Sequence, residues 1–116
     1  MELGKQLRGG AVLGEVPILT AIGVRVPDVG WASEAYISAV GEVSPLPRPP
    51  EICVEVMSPS NSDQEMEEET RAYLAAGAKE VWLATADGTI RYFDADGERS
   101  SSAFPVSIPP IQKTAS

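Results

Sequence analysis

Two acidic residues stand where a charge is hard to keep. Asp28 closes an apolar stretch containing Val24, Val26 and Pro27, and Glu55 sits inside the run Ile52-Cys53-Val54-Glu55-Val56-Met57. A carboxylate in such surroundings is costly unless it is paired, hydrogen-bonded or metal-bound. Each position also has a plain reading: Asp28 as a turn residue after proline, Glu55 as the polar half of an alternating strand in phase with Glu51. Spacing alone does not choose between the readings.

The rest of the composition narrows the chemistry. The chain has 116 residues, no histidine, one cysteine and a formal net charge of −8. Without histidine there is no Ser-His-Asp or Cys-His nucleophile system, no HExxH zinc site and no imidazole switch. The lone Cys53 forbids an internal disulfide or a CxxC zinc ribbon, as expected of a protein in the reducing cytoplasm. Hydrolytic chemistry would have to rest on carboxylates, lysine, arginine, hydroxyls or an oxygen-ligated metal. The acidic balance argues against a broad surface for gripping polyphosphate. No stretch resembles a signal peptide, and the longest apolar run, Val16 to Ile22, is too short to span a membrane.

These residues need elements to hold them. Ala11 to Ile22 and Val24 to Val26, separated by Gly23, read as a strand pair, and the proline-rich residues 44–50 as a stiff extended connection. The strongest strand is 51–57. Ser62 followed by Glu65 makes a capping box for a helix from about Asp63 to Ala76, with Gly77 as its stop. Helical phase places Met66, Thr70, Tyr73, Leu74 and Gly77 on its buried arc. Glu80 to Ala84 is the next strand, an Asp87-Gly88 turn leads into Thr89 to Phe93, and an Asp96-Gly97 turn into a weaker edge strand over 99–103. The expectation is a small α/β sheet, ordered β-β-β-α-β-β(-β), with one covering helix. A lead occupies 1–10, the domain 11–106 and an extended tail 107–116.

Three segments in order make a pattern: Val26-Pro27-Asp28-Val29-Gly30-Trp31-Ala32-Ser33, then Pro50-Glu51-Ile52-Cys53-Val54-Glu55-Val56-Met57-Ser58-Pro59-Ser60-Asn61, then Tyr73-Leu74-Ala75-Ala76-Gly77-Ala78-Lys79-Glu80-Val81-Trp82-Leu83. Together they closely resemble the Uma-two-type restriction-endonuclease-like family, of the PD-(D/E)XK nuclease superfamily. The resemblance implies a mixed central β-sheet and a Mg²⁺- or Mn²⁺-dependent endonuclease acting on DNA. It implies metal ligation by Asp28 and Glu55, with the main-chain carbonyl of Met57 or its neighbour Val56. Such ligands suit a hard cation that polarises a phosphodiester and acidifies bound water. Glu15 is a weaker third acid.

The chain departs from the family at one telling position. The superfamily lysine would fall on Met57; in this branch it stands on the helix four residues before the tyrosine, where this chain has Glu69. Glu69 therefore occupies a catalytic position with reversed charge, which implies either weakened turnover, a third metal ligand, or a degenerate module that only binds. Arg71 lies about 160° away on the helical wheel and does not substitute. Only ten residues precede Ala11, so the chain reads as shortened at its N-terminus. A homodimer could restore the missing cover by burying Val81-Trp82-Leu83 and Tyr92-Phe93, although Trp82 reads better as internal core.

Overall fold

The computed structural model describes residues 9–105. In chain order the elements are β1 (Gly10–Leu13), β2 (Ile18–Thr20), β3 (Gly23–Arg25), β4 (Val29–Ser33), α1 (Glu34–Val40), β5 (Ile52–Val56), α2 (Asp63–Ala76), β6 (Glu80–Ala84), β7 (Ile90–Asp94) and β8 (Gly97–Arg99). Of the expected lead over 1–10, residues 1–8 fall outside the described residues and Gly10 already belongs to β1; the expected tail over 107–116 lies outside the described residues.

β5 and β6 form the centre of a six-stranded sheet ordered β1-β4-β5-β6-β7-β8. They are parallel, and the other neighbours in this sheet are antiparallel, so the sheet is mixed. A parallel pair needs a crossover, which α2 supplies. The helix starts on the expected capping box: Ser62 Oγ accepts from Glu65 N–H at 3.1 Å and Glu65 Oε1 accepts from Ser62 N–H at 3.0 Å. It stops at Gly77, whose φ of 124° suits glycine and lets the next N–H, of Ala78, reach Tyr73 O at 3.0 Å.

Strand period sorts the core into two faces. Cys53, Val81 and Leu83 pack with Met66 and Tyr73 of α2 and Tyr36 of α1 on one face. Val29, Trp31, Ile52, Val54 and Trp82 form the other. All five residues of β5 are buried, so it does not have the wet polar face expected of an alternating strand; a central parallel strand is covered on both sides. Glu55 shares the face of Cys53, beneath α2. The buried arc of α2 holds Met66, Thr70 and Tyr73 as expected, but Gly77 is exposed and Ala72 is buried instead.

Several local expectations are corrected. The run beginning at Ala11 is not one strand: β1 joins β4 in the large sheet, while β2 and β3 form a separate hairpin. The polar stretch after Trp31 contains α1, capped by Ser33 Oγ accepting from Tyr36 N–H at 3.0 Å. The segment Val29–Ser33 is itself a strand, hidden from propensity by Gly30 and Ala32. A side chain at Gly30 would come within 3.1 Å of the Pro50 ring, so small residues are what let this strand pack. The last strand is Gly97–Arg99 and not 99–103; residues 102–104 turn back toward Glu80 and Trp31. Val81, Trp82 and Leu83 are no more than 4% exposed, so this run belongs to the chain's own core and offers no face to a second copy.

Candidate functional site

Asp28 does not close a strand; it enters one. Pro27 is fully buried, and Asp28 follows it one residue before β4. β4 pairs with β5 as Trp31↔Ile52, Gly30↔Cys53 and Val29↔Val54, so one further step of the same register sets Asp28 opposite Glu55. There the side chains take over from the backbone ladder. The Asp28 N–H donates to Glu55 Oε1 at 3.1 Å, and the Val56 N–H donates to Asp28 Oδ2 at 2.7 Å. Twenty-seven residues apart in sequence, the two carboxylates hold each other's strands in place. Glu55 is 8% exposed and Asp28 is half-buried.

Glu55 opens into a cleft of about 330 Å³ between the β2–β3 hairpin and the first turns of α2, lined also by Arg25, Asn61, Glu65, Glu68 and Glu69. Glu69 is half-buried on the sheet side of α2, where its helical phase puts it. Its Oε1 lies 2.8 Å from Arg25 Nε. The Tyr73 hydroxyl is buried without a hydrogen bond of normal geometry among the described residues. Burial, and then the Glu55 and Glu69 charges beside it, push its pKa well above the usual tyrosine range, so it stays protonated and able to donate.

Other candidates lie elsewhere. Glu15 is exposed in the loop between β1 and β2. Arg71 points away, paired with Glu67 on the exposed side of α2. Met57 follows β5, its N–H donating to Ala84 O at 2.8 Å, and lines a larger cleft of about 590 Å³ between α2 and the β7–β8 hairpin. That larger cleft contains neither Asp28 nor Glu55. Among the described residues no three His, Cys, Asp or Glu side chains converge as a metal-binding group. A cation here would rest on the carboxylate pair and main-chain oxygen. Arg25 went unnoticed in the sequence; the signals available were a cation between two valines in a strand and an unexplained glutamate at position 69.

The family model for Uma2, described as "Putative restriction endonuclease", matches residues 2–107. The chain belongs to the Uma2 family. A similar fold occurs in the crystal structure of a protein from Anabaena variabilis ATCC 29413 described as "a putative nuclease belonging to DUF820", with a TM-score of 0.68 and 18% identity. The match covers 96% of this chain and 64% of that one, so this chain spans about two thirds of that protein's length. None of the curated proteins matches. The family and the mixed sheet with α2 across it agree with the resemblance carried by the three sequence segments. Among the described residues no helix is long and apolar enough to cross a membrane.

Proposed function

We propose that this chain is a divalent-metal-dependent endonuclease that hydrolyses phosphodiester bonds of DNA in the cytoplasm. The observation that carries the reading is the pair of hydrogen bonds that ties Asp28 to Glu55 and Val56 beside the cleft that Glu55 lines, in a chain of a restriction-endonuclease family. The donor set fits a hard cation such as Mg²⁺ or Mn²⁺: two carboxylates, with the main-chain carbonyl of Met57 or Val56. The buried Tyr73 hydroxyl, beside the Glu55 and Glu69 carboxylates, also fits as a donor to an oxygen held at the site. When bound, the cation polarises the phosphodiester and lowers the pKa of water.

The chain's own groups prepare that site. The Val56 N–H orients the Asp28 carboxylate, and the Asp28 N–H orients Glu55, so neither acid has to be organised when substrate arrives. Tyr73, kept protonated, donates to an anionic oxygen. Glu69 stands where the family resemblance implies a lysine, so it puts negative charge where a preorganised cation would act and lowers turnover by a few orders of magnitude. The Glu69 carboxylate is committed to Arg25, which disfavours its use as a third metal ligand. The same substitution favours a second reading, a nuclease-fold module that binds without cutting.

Incubation of the full chain with supercoiled plasmid and Mg²⁺ or Mn²⁺ tests the proposal. Slow nicking is expected, lost in Asp28→Ala and faster in Glu69→Lys. No nicking by the parent together with nicking by Glu69→Lys supports the binding module. Nicking that survives Asp28→Ala overturns the site.

A further inference from the structure

On the cleft side of α2 this chain presents Glu69, and it sets a cation against that carboxylate from a different element. Arg25, the last residue of β3, places Nε 2.8 Å from Glu69 Oε1, with the two side chains 36% and 24% exposed. Strand alternation brings it there: Val24 and Val26 are exposed, whereas Arg25, between them, turns to the opposite face. β3 is paired with β2, and β2 packs against α2, so the hairpin delivers the guanidinium to the helix. Among the described residues lining the cleft that holds Glu55, Arg25 is the one cation.

A guanidinium carries five N–H donors in a planar fork. Here Nε meets Glu69, and Nη1 donates to Val24 O at 3.2 Å. Among the described residues the Nη2 hydrogens have no partner and remain for an anion, and arginine matches phosphate better than any other side chain. A DNA strand entering the cleft otherwise meets Glu55, Glu65, Glu68 and Glu69, a wall of negative charge. We propose that Arg25 contacts a DNA backbone phosphate at this site, supplying from β3 the positive charge that the cleft side of α2 lacks, while Glu69 offsets part of that charge. The proposal rests on the nuclease reading for the identity of the ligand.

Fluorescence anisotropy of a fluorescein-labelled DNA duplex, across a salt series and with Ca²⁺ in place of Mg²⁺ to prevent cutting, reads this contact directly. Arg25→Gln is expected to weaken binding about tenfold. It should also flatten the dependence of log K on log salt by about 0.9, the share of one phosphate contact. Arg25→Lys should restore most of that slope, and both variants should melt close to the parent because the ion pair is partly exposed. An unchanged salt slope in Arg25→Gln overturns the proposal whatever happens to affinity. Plasmid cleavage separates the two ideas. A parent that binds with an Arg25-dependent slope yet never cuts in Mg²⁺ or Mn²⁺ keeps the phosphate contact and refutes the nuclease. A parent that cuts while Arg25→Gln leaves the slope unchanged does the reverse, and a parent that binds no duplex ends both.

Discussion

Replacing Asp28 with asparagine separates what the carboxylate does for the fold from what it does for a metal. Asparagine keeps an oxygen at the position that accepts the Val56 N–H, so the 2.7 Å bond survives with a neutral acceptor. Charge-assisted bonds exceed neutral ones by about 1 kcal/mol. Part of that loss is offset because Glu55, bonded to the Asp28 N–H, no longer faces a second negative charge. For 116 residues the entropy of unfolding is about 0.24 kcal/mol/K, so 1 kcal/mol corresponds to about 4 °C. Metal-free Asp28→Asn should therefore melt within about 4 °C of the parent. Asp28→Ala removes the acceptor outright and should cost about 1–3 kcal/mol, or roughly 4–12 °C. Metal changes the comparison. A cation at 100 times its Kd stabilises the parent by about 2.7 kcal/mol, a rise of roughly 11 °C. Asp28→Asn, having lost one of the two anionic ligands, should rise by less than about 2 °C at the same concentration. Thermal melts followed by circular dichroism, with EDTA or with Mg²⁺ or Mn²⁺, measure all of these values. An equal metal-induced rise in parent and Asp28→Asn would falsify the shared site, as would no rise in the parent at millimolar metal.

Three further outcomes follow from the structure. Glu80 is buried and accepts from Trp82 Nε1 at 2.8 Å and from the Ala103 N–H at 2.7 Å, so Glu80→Ala should cost about 2–4 kcal/mol in urea denaturation and Glu80→Gln distinctly less; equal losses would show that shape matters there and hydrogen bonding does not. Tyr73→Phe removes a buried hydroxyl that lacks a normal partner, so the metal-free chain should keep its stability or gain up to about 1 kcal/mol. A loss of that size would show the hydroxyl to be paired. The carboxyls of Asp94 and Glu98 are held below their ordinary values of 3.8 and 4.5, first by hydrogen bonds from Arg99 and Arg91 respectively. Groups with depressed folded-state pKa values stabilise the chain above their unfolded values and lose that contribution as pH falls through the folded ones. Protection factors of the amides over 90–99, corrected for the pH dependence of intrinsic exchange, should therefore fall below about pH 4, and uniform protection factors down to pH 2 would contradict the ion pairing.

Local signals in the sequence went far where the physics is local. Ser62 and Glu65 satisfy helix-terminal N–H groups within one turn, Gly77 adopts a φ that other residues avoid, and Asp87-Gly88 closes the β6–β7 hairpin with Gly88 N–H donating to Thr85 O at 3.0 Å. Each depends on residues a few positions apart. The strand Val29–Ser33 and helix Glu34–Val40 were hidden because their support is distant: Gly30 is small for the sake of Pro50, and Ser33 N–H and Oγ both donate to Glu51.

The site divides the same way. The residue types and the absence of histidine by themselves excluded imidazole chemistry, and the three ordered segments carried the resemblance that singled out Asp28, Glu55 and position 69 as candidates. Only the tertiary structure decided that Asp28 lies opposite Glu55 in the register, with their hydrogen bonds closing the end of a strand pair. It alone decided that Arg25, forty-four residues before Glu69, meets it across the cleft. Sequence patterns report which face of an element a side chain takes, through the fixed periods of strand and helix. Which charge ends beside which depends on how a hairpin and a crossover helix pack, and no local period encodes that.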